Sequence, residues 1–245
     1  MGTKERRERQ FEEREKRLLA FARELIVQDG LLNLQMAKLA EVSEYAMGTL
    51  YQHFACKEDL LLALTTESVA EQAKLFQRAA QWQASSRERM FAITVADTIF
   101  VQRNPEHFRI AQYAHCEVVW KAASACRRAA HFAASQPISD AVMAIVHDAI
   151  NQGDLDPRGL NPEAVSTGCW ALTCGMHQLV HAEGLLDHFN IRQPYRLLGR
   201  QMLAMLNGMG WKPLVDDPAD PAALDDLIAR IRAEVFHELC TNDTI

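Results

Sequence analysis

Two groups of residues in this 245-residue chain could carry functional chemistry at regular spacing. The first is Ser43-Glu44-Tyr45-Ala46-Met47-Gly48-Thr49-Leu50-Tyr51-Gln52-His53-Phe54, with Lys57 one turn beyond. On a helical wheel of about 100° per residue, Leu50 and Phe54 point one way with Ala46 and Met47 beside them, while Gly48 and Gln52 point oppositely, flanked by Thr49 and Tyr51. That outward face is polar, small and aromatic, but uncharged. A glycine, two hydroxyls and a carboxamide can approach a surface closely without repelling acidic groups, and Lys57 adds a positive charge at the start of the next helix. The second group is Cys174, His177 and His181, one helix face at steps of three and four and a possible metal constellation. No carboxylate or second cysteine stands at the right step to complete it.

The first group needs helices to position it. Phe11, Leu18, Ala22, Leu25 and Ile26 recur at steps of three, four and seven, which predicts an amphipathic helix ending at Asp29-Gly30 with glycine past its last turn. Two short apolar-periodic pieces follow, about Gln35 to Val42 and Ala46 to Phe54, separated by Ser43-Glu44. Such short helices must lean on the first. Two helices joined by a tight turn, the second so decorated, form a helix-turn-helix. A longer helix from Lys57 to about Gln83 leads onward. Beyond Ser85-Ser86, helices are expected at about 87–103, 106–113, 117–134, 138–152, 162–182, 194–209 and 221–240. The breaks include Asn104-Pro105, Gln136-Pro137 and Gly184. No alternating strand pattern stands out, so the fold class is all-α, with tight N-terminal helices before a body about three times larger.

Composition narrows the function. With 49% hydrophobic residues the chain can bury a sizeable core, and a net charge of −6 excludes a polybasic protein. Any nucleic-acid affinity must come from a local patch. Residues 1–60 hold ten Lys and Arg against eleven Asp and Glu, yet seven of those ten bases lie in the first seventeen residues. No run approaches the ~18 apolar residues of a membrane span, and the charged amino end is unlike a signal peptide. A cytoplasmic protein with no membrane association is expected. Cys56, Cys116, Cys126, Cys169, Cys174 and Cys240 form no CxxC pair and read as free thiols in a reducing compartment.

The stretch Gly48-Thr49-Leu50-Tyr51-x-His53-Phe54, preceded by Leu39-Ala40 and followed by Lys57-Glu58-x-Leu60, resembles the tetracycline-repressor (TetR) family of bacterial transcription regulators. The resemblance covers about residues 10–65. It implies that the second short helix enters the DNA major groove, with Thr49, Tyr51, His53 and Lys57 on the phosphate backbone and a base contact from Met47. Tyr45 and Gly48 complete the expected DNA-facing set. Gln52 is the candidate for direct readout, because a carboxamide can make the bidentate contact that adenine favours.

Two departures stand out. Ala46 cannot cap the recognition helix with a side-chain oxygen, so Ser43 is expected to cap it from an earlier position. Cys56 occupies a position usually held by a small capping residue; at a helix N-terminus beside Lys57 its thiol would have a lowered pKa.

The resemblance further implies a division into a DNA-binding domain, residues 1–65, and a ligand-binding and dimerisation domain, residues 66–245. Gly168, Ala171, Gly175 and Ala182 on one helix, and Leu198, Met202, Met205 and Met209 on the next, would pack closely and meet a symmetry mate. His115, Trp120, Trp170, Cys174, His177 and His181 are the candidates for binding a small, mainly apolar or aromatic effector. Expected partners are a double-stranded DNA operator, that effector and a second copy of the chain, with no cofactor and no metal. The resulting reading is a ligand-responsive repressor, not an enzyme. Its rival is a helical metal-dependent enzyme or metal sensor built on Cys174, His177 and His181, which lacks a nucleophile, base and orienting acid at recognisable spacing.

Overall fold

A computed structural model describes residues 3–239. Twelve α-helices follow one another among them, with no strand: α1 (Thr3–Asp29), α2 (Met36–Ser43), α3 (Met47–His53), α4 (Lys57–Gln81), α5 (Ser86–Arg103), α6 (Pro105–Ala114), α7 (Glu117–Ala122), α8 (Ala125–Asn151), α9 (Pro162–His181), α10 (Leu185–His188), α11 (Pro194–Gly208) and α12 (Pro221–Val235). None of the helices among the described residues is long and apolar enough to cross a membrane.

Two compact units emerge. One holds the residues up to Val69 together with Pro105–Ala134; the other holds Ala70–Asn104 together with the residues from Ser135 onward. The first is organised around α1, whose face Leu18, Leu19, Ala22, Leu25 and Ile26 is buried. It ends where periodicity expected it, at Asp29, with Gly30 at φ 87°. Against that face pack Leu39 of α2, Leu50 of α3, Phe54, and Leu60 and Leu64 of α4. Ile110, Ala114, Val119 and Ala123 belong to the same core. Each large apolar side chain so buried contributes about 1.5–3 kcal/mol against exposure, which is how α2 and α3, too short to persist alone, are held.

In the second unit α5 is the central helix. A Ser85–Glu88 capping box starts it, and Met90, Phe91, Ala92, Val95, Ala96, Ile99 and Phe100 are buried around its circumference. Helices α9, α11 and α12 pack on it. At Gly199 of α11 a Cβ would lie 3.1 Å from Leu224 of α12, so glycine permits that approach. The buried Arg87 guanidinium donates to the carbonyls of Trp211 and Leu203 at 2.7 and 3.1 Å, closing the end of α11.

Three features differ from expectation: α12 stops at Val235, short of its expected end, the short α10 is not among the expected helices, and the break expected at Gln136-Pro137 lies elsewhere. The break lies at Ala123-Ser124, where the Ser124 hydroxyl accepts the Arg127 amide at 3.3 Å and starts α8. The helix then runs through Pro137. Across the proline the Gln136 carboxamide donates to Asp140 at 2.7 Å, bracing the turn that lacks an amide.

Candidate nucleic-acid interface

The turn between α2 and α3 is made by Glu44, left-handed at φ 56°, whose amide donates back to Glu41 and Ala40. Ser43 does not reach forward to cap α3. Its hydroxyl donates to the Leu39 carbonyl at 2.6 Å, finishing its own helix instead. Ala46 caps α3 without a side-chain bond, as its chemistry requires.

Helix α3 has two distinct sides. Leu50 and Phe54 are wholly buried, whereas Met47, Gly48, Tyr51 and Gln52 are exposed and Thr49 is half-buried. Met47 corrects the wheel, which turned it inward. It stands at the start of the helix, where the exposed Ala46 leaves it outside the core. Gly48 has no neighbouring atom within 4 Å of where a Cβ would stand, so nothing inside the chain requires a glycine there. Tyr45 is half-buried against the core, with Arg14 6.0 Å from its ring centre. The Lys57 ammonium donates to the Leu32 carbonyl at 3.4 Å.

His53 departs from its expected place on the phosphate backbone. Its side chain is wholly buried, stacked on Phe11 at 3.8 Å, and its Nδ1 lies 3.2 Å from Glu15. The reason is its register: three residues after Leu50, it faces α1 rather than the exposed side. Cys56 departs too. Burial pushes its thiol up, as do the neighbouring Asp59 and Glu58 charges, so it is not an activated thiolate.

Helical periodicity gave no signal for three further residues. Asp59, buried, accepts the amides of Ala55 at 3.2 Å and Ser124 at 2.7 Å. Glu15 and Arg127 pair through both oxygens and both terminal nitrogens, at 2.7 and 2.9 Å. Burial raises the Glu15 carboxyl, but the Arg127 hydrogen bond and charge, helped by His53, outweigh it and hold the group below its ordinary value. Arg127 lies 112 residues from Glu15, beyond the reach of any local pattern.

The six candidates for effector binding fall into both units. In the first, His115 lies against Trp120 and His131. Thr66 donates its hydroxyl to Leu62, so it accepts from His131 Nδ1 at 3.0 Å; the other His131 nitrogen then accepts from His115 Nε2 at 3.1 Å. In the second unit, His177 donates from Nε2 to Asp97 at 3.2 Å and its ring lies 5.5 Å from that of Tyr195. The Gln72 carboxamide holds the other Asp97 oxygen at 2.7 Å. Burial and the Asp97 charge push the Cys174 thiol and the Tyr195 phenol up to about 12, leaving both as protonated donors. His181 donates to the His177 carbonyl of its own helix. Trp170 is 68% exposed, turned out by its position on the open side of α9 rather than toward a pocket. No group of three or more His, Cys, Asp or Glu placed to hold a metal occurs among the described residues.

Residues 18–64 match the model for bacterial regulatory proteins of the tetR family. Among solved structures, a bacterial regulatory protein in the tetR family from Rhodococcus RHA1 superposes with a TM-score of 0.58 at 18% identity, covering 81% of this chain and 97% of that one. FadR from Bacillus subtilis, in complex with stearoyl-CoA, gives 0.58 at 15% identity over 79% and 98%. RolR in complex with resorcinol gives 0.54 at 13% identity over 91% and 96%. A search of curated proteins finds no match.

Proposed function

We propose that this chain, a transcription regulator of the tetR family by its N-terminal domain and not an enzyme, is a dimeric, ligand-responsive repressor acting in the cytoplasm. It binds a palindromic DNA operator through α3 and is released when a small, mainly apolar or aromatic effector binds. The observation that carries this reading is the exposed, uncharged face of α3, with Gly48, Tyr51 and Gln52 outward on a helix whose other side is wholly buried. Hydroxyls and Lys57 suit phosphate, and Gln52 suits a base edge.

Under the same reading, the residues that touch DNA lie within 1–65 and those that meet the effector and the second copy lie within 66–245. One short helix reads too few base pairs, so two copies bind half-sites about 34 Å or a multiple apart. Trp170, Leu179 and Phe189 support dimerisation, being exposed apolar residues on or beside α9. The aromatic and neutral hydrogen-bonding groups around His115 and Trp120, and around Cys174 and His177, suit an apolar or aromatic effector. Resorcinol in RolR and the acyl chain of stearoyl-CoA in FadR are ligands of that class. Effector and operator must prefer different conformations of the dimer, or no release would follow.

The test is selection of double-stranded oligonucleotides from a random pool by the purified chain at low ionic strength. A palindromic consensus bound with steep salt dependence is expected. Absence of any sequence preference would sink the reading.

A further inference from the structure

Arg127 stands in the first turn of α8, far outside the matched segment, yet it holds the end of the recognition helix. Its guanidinium grips both Glu15 oxygens, donates to the His53 carbonyl at 2.6 Å, and lies 5.1 Å from the centre of the Phe54 ring. His53 is the last residue of α3, so a cation sits where the helix leaves its carbonyls unpaired. A second tie lies alongside. Asp59 joins the turn after α3 to the turn before α8 through the Ala55 and Ser124 amides. Helix α3 is thereby held at its C-terminal end from α1 on one side and from α8 on the other. The planar fork meets both Glu15 oxygens in parallel while still donating to the His53 carbonyl, a fixed bidentate geometry that the point-like ammonium of a lysine does not reproduce.

We propose that Arg127 is a positioning residue for DNA recognition, fixing the orientation of α3 from outside the helix-turn-helix, so that residues 105–134 belong functionally to the DNA-reading half. This rests on the reading of α3 as the DNA-contacting helix. Because Arg127 opens a helix that continues to Asn151, any displacement of its first turn is felt at the His53 carbonyl.

The test compares full-length wild type, Arg127→Met and Arg127→Lys on the selected operator across a series of salt concentrations, with amide exchange measured on each. Arg127→Met is expected to lose about tenfold in operator affinity. The slope of log affinity against log salt stays unchanged, because Arg127 touches no phosphate. Exchange accelerates at residues 50–55 but not in α2, and Arg127→Lys fails to restore affinity. Wild-type affinity in Arg127→Met overturns the proposal. So does a slope reduced by about one, which makes Arg127 a phosphate contact, or exchange accelerated equally through α1 and α2, which makes the loss a general folding defect. If the wild type selects no operator, the DNA-binding reading has failed. The exchange comparison then decides alone whether Arg127 holds α3.

Discussion

The imidazole of His53 lies face to face with the Phe11 ring, centroids 3.8 Å apart and planes 23° from parallel. The last turn of α3 is thus fastened to α1, and its outward neighbours Tyr51 and Gln52 are left for a partner. His53→Ala is expected to lower stability by about 1–3 kcal/mol while leaving the salt slope of DNA binding intact. Tyr51→Phe should do the reverse, weakening binding to all sequences with an unchanged Tm. Melting curves and salt titrations of the two variants check this. A slope reduced in His53→Ala would return that side chain to the phosphate backbone.

Gln52 and Gly48 separate sequence reading from close approach. Gln52→Ala should relax preference at one base by ~1–3 kcal/mol, measured on a panel of single-base operator variants. Equal losses across the panel would remove readout from Gln52.

Gly48→Ala should move stability and function in opposite directions. A Cβ there meets nothing within 4 Å, so the helix gains roughly 0.5–1 kcal/mol. DNA affinity falls because the new methyl occupies the bare site at the surface. Chemical denaturation and operator titration of one variant suffice, and unchanged affinity would refute the idea.

Acid should loosen the first unit before its carboxylates are protonated. Burial, then the Arg23 and neighbouring histidine charges, lowers His107 to about 4; burial, then His115, lowers His131 to about 4. The unfolded chain therefore takes up these protons near pH 6.5, well before the folded one does. The stabilisation is complete above that pH and is lost as pH falls toward 4, at up to about 1.4 kcal/mol per pH unit for each histidine. Denaturation midpoints between pH 7 and 4.5 should fall, with a shallower slope for His131→Gln. A slope identical to wild type would place the effect elsewhere.

Trp170 tests the dimer. Trp170→Glu on the exposed face of α9 should shift the chain to monomer in analytical ultracentrifugation while leaving its helical content unchanged. An undisturbed dimer would move the interface to another face.

Local pattern carried the helix-turn-helix because everything that defines α1, α2 and α3 lies within a few turns of sequence. The buried Leu50 and Phe54 and the glycine stop at Gly30 are of that kind. His53 shows the limit: its spacing from Leu50 suited burial, and the family resemblance outweighed that spacing. Pro137 misled for another reason. A proline removes one amide without forbidding a helix that is capped upstream by Ser124 and braced by Gln136 and Asp140. The partner of His177 among the candidate effector residues was invisible, since Asp97 lies 80 residues away, and so was the Glu15–Arg127 pair beside α3, 112 residues apart. Contacts at that separation are set by packing, not by periodicity.

The backbone passes between the two compact units three times, at residues 69–70, 104–105 and 134–135. A chimaera that borrows the DNA reader by cutting at residue 65 would leave Ile110, Ala114, Val119 and Ala123 behind, and with them one wall of the interior around Leu60 and Leu64. The part that can be transplanted onto a foreign sensor is therefore discontinuous. Exchange by recombination would have to carry two separated stretches together.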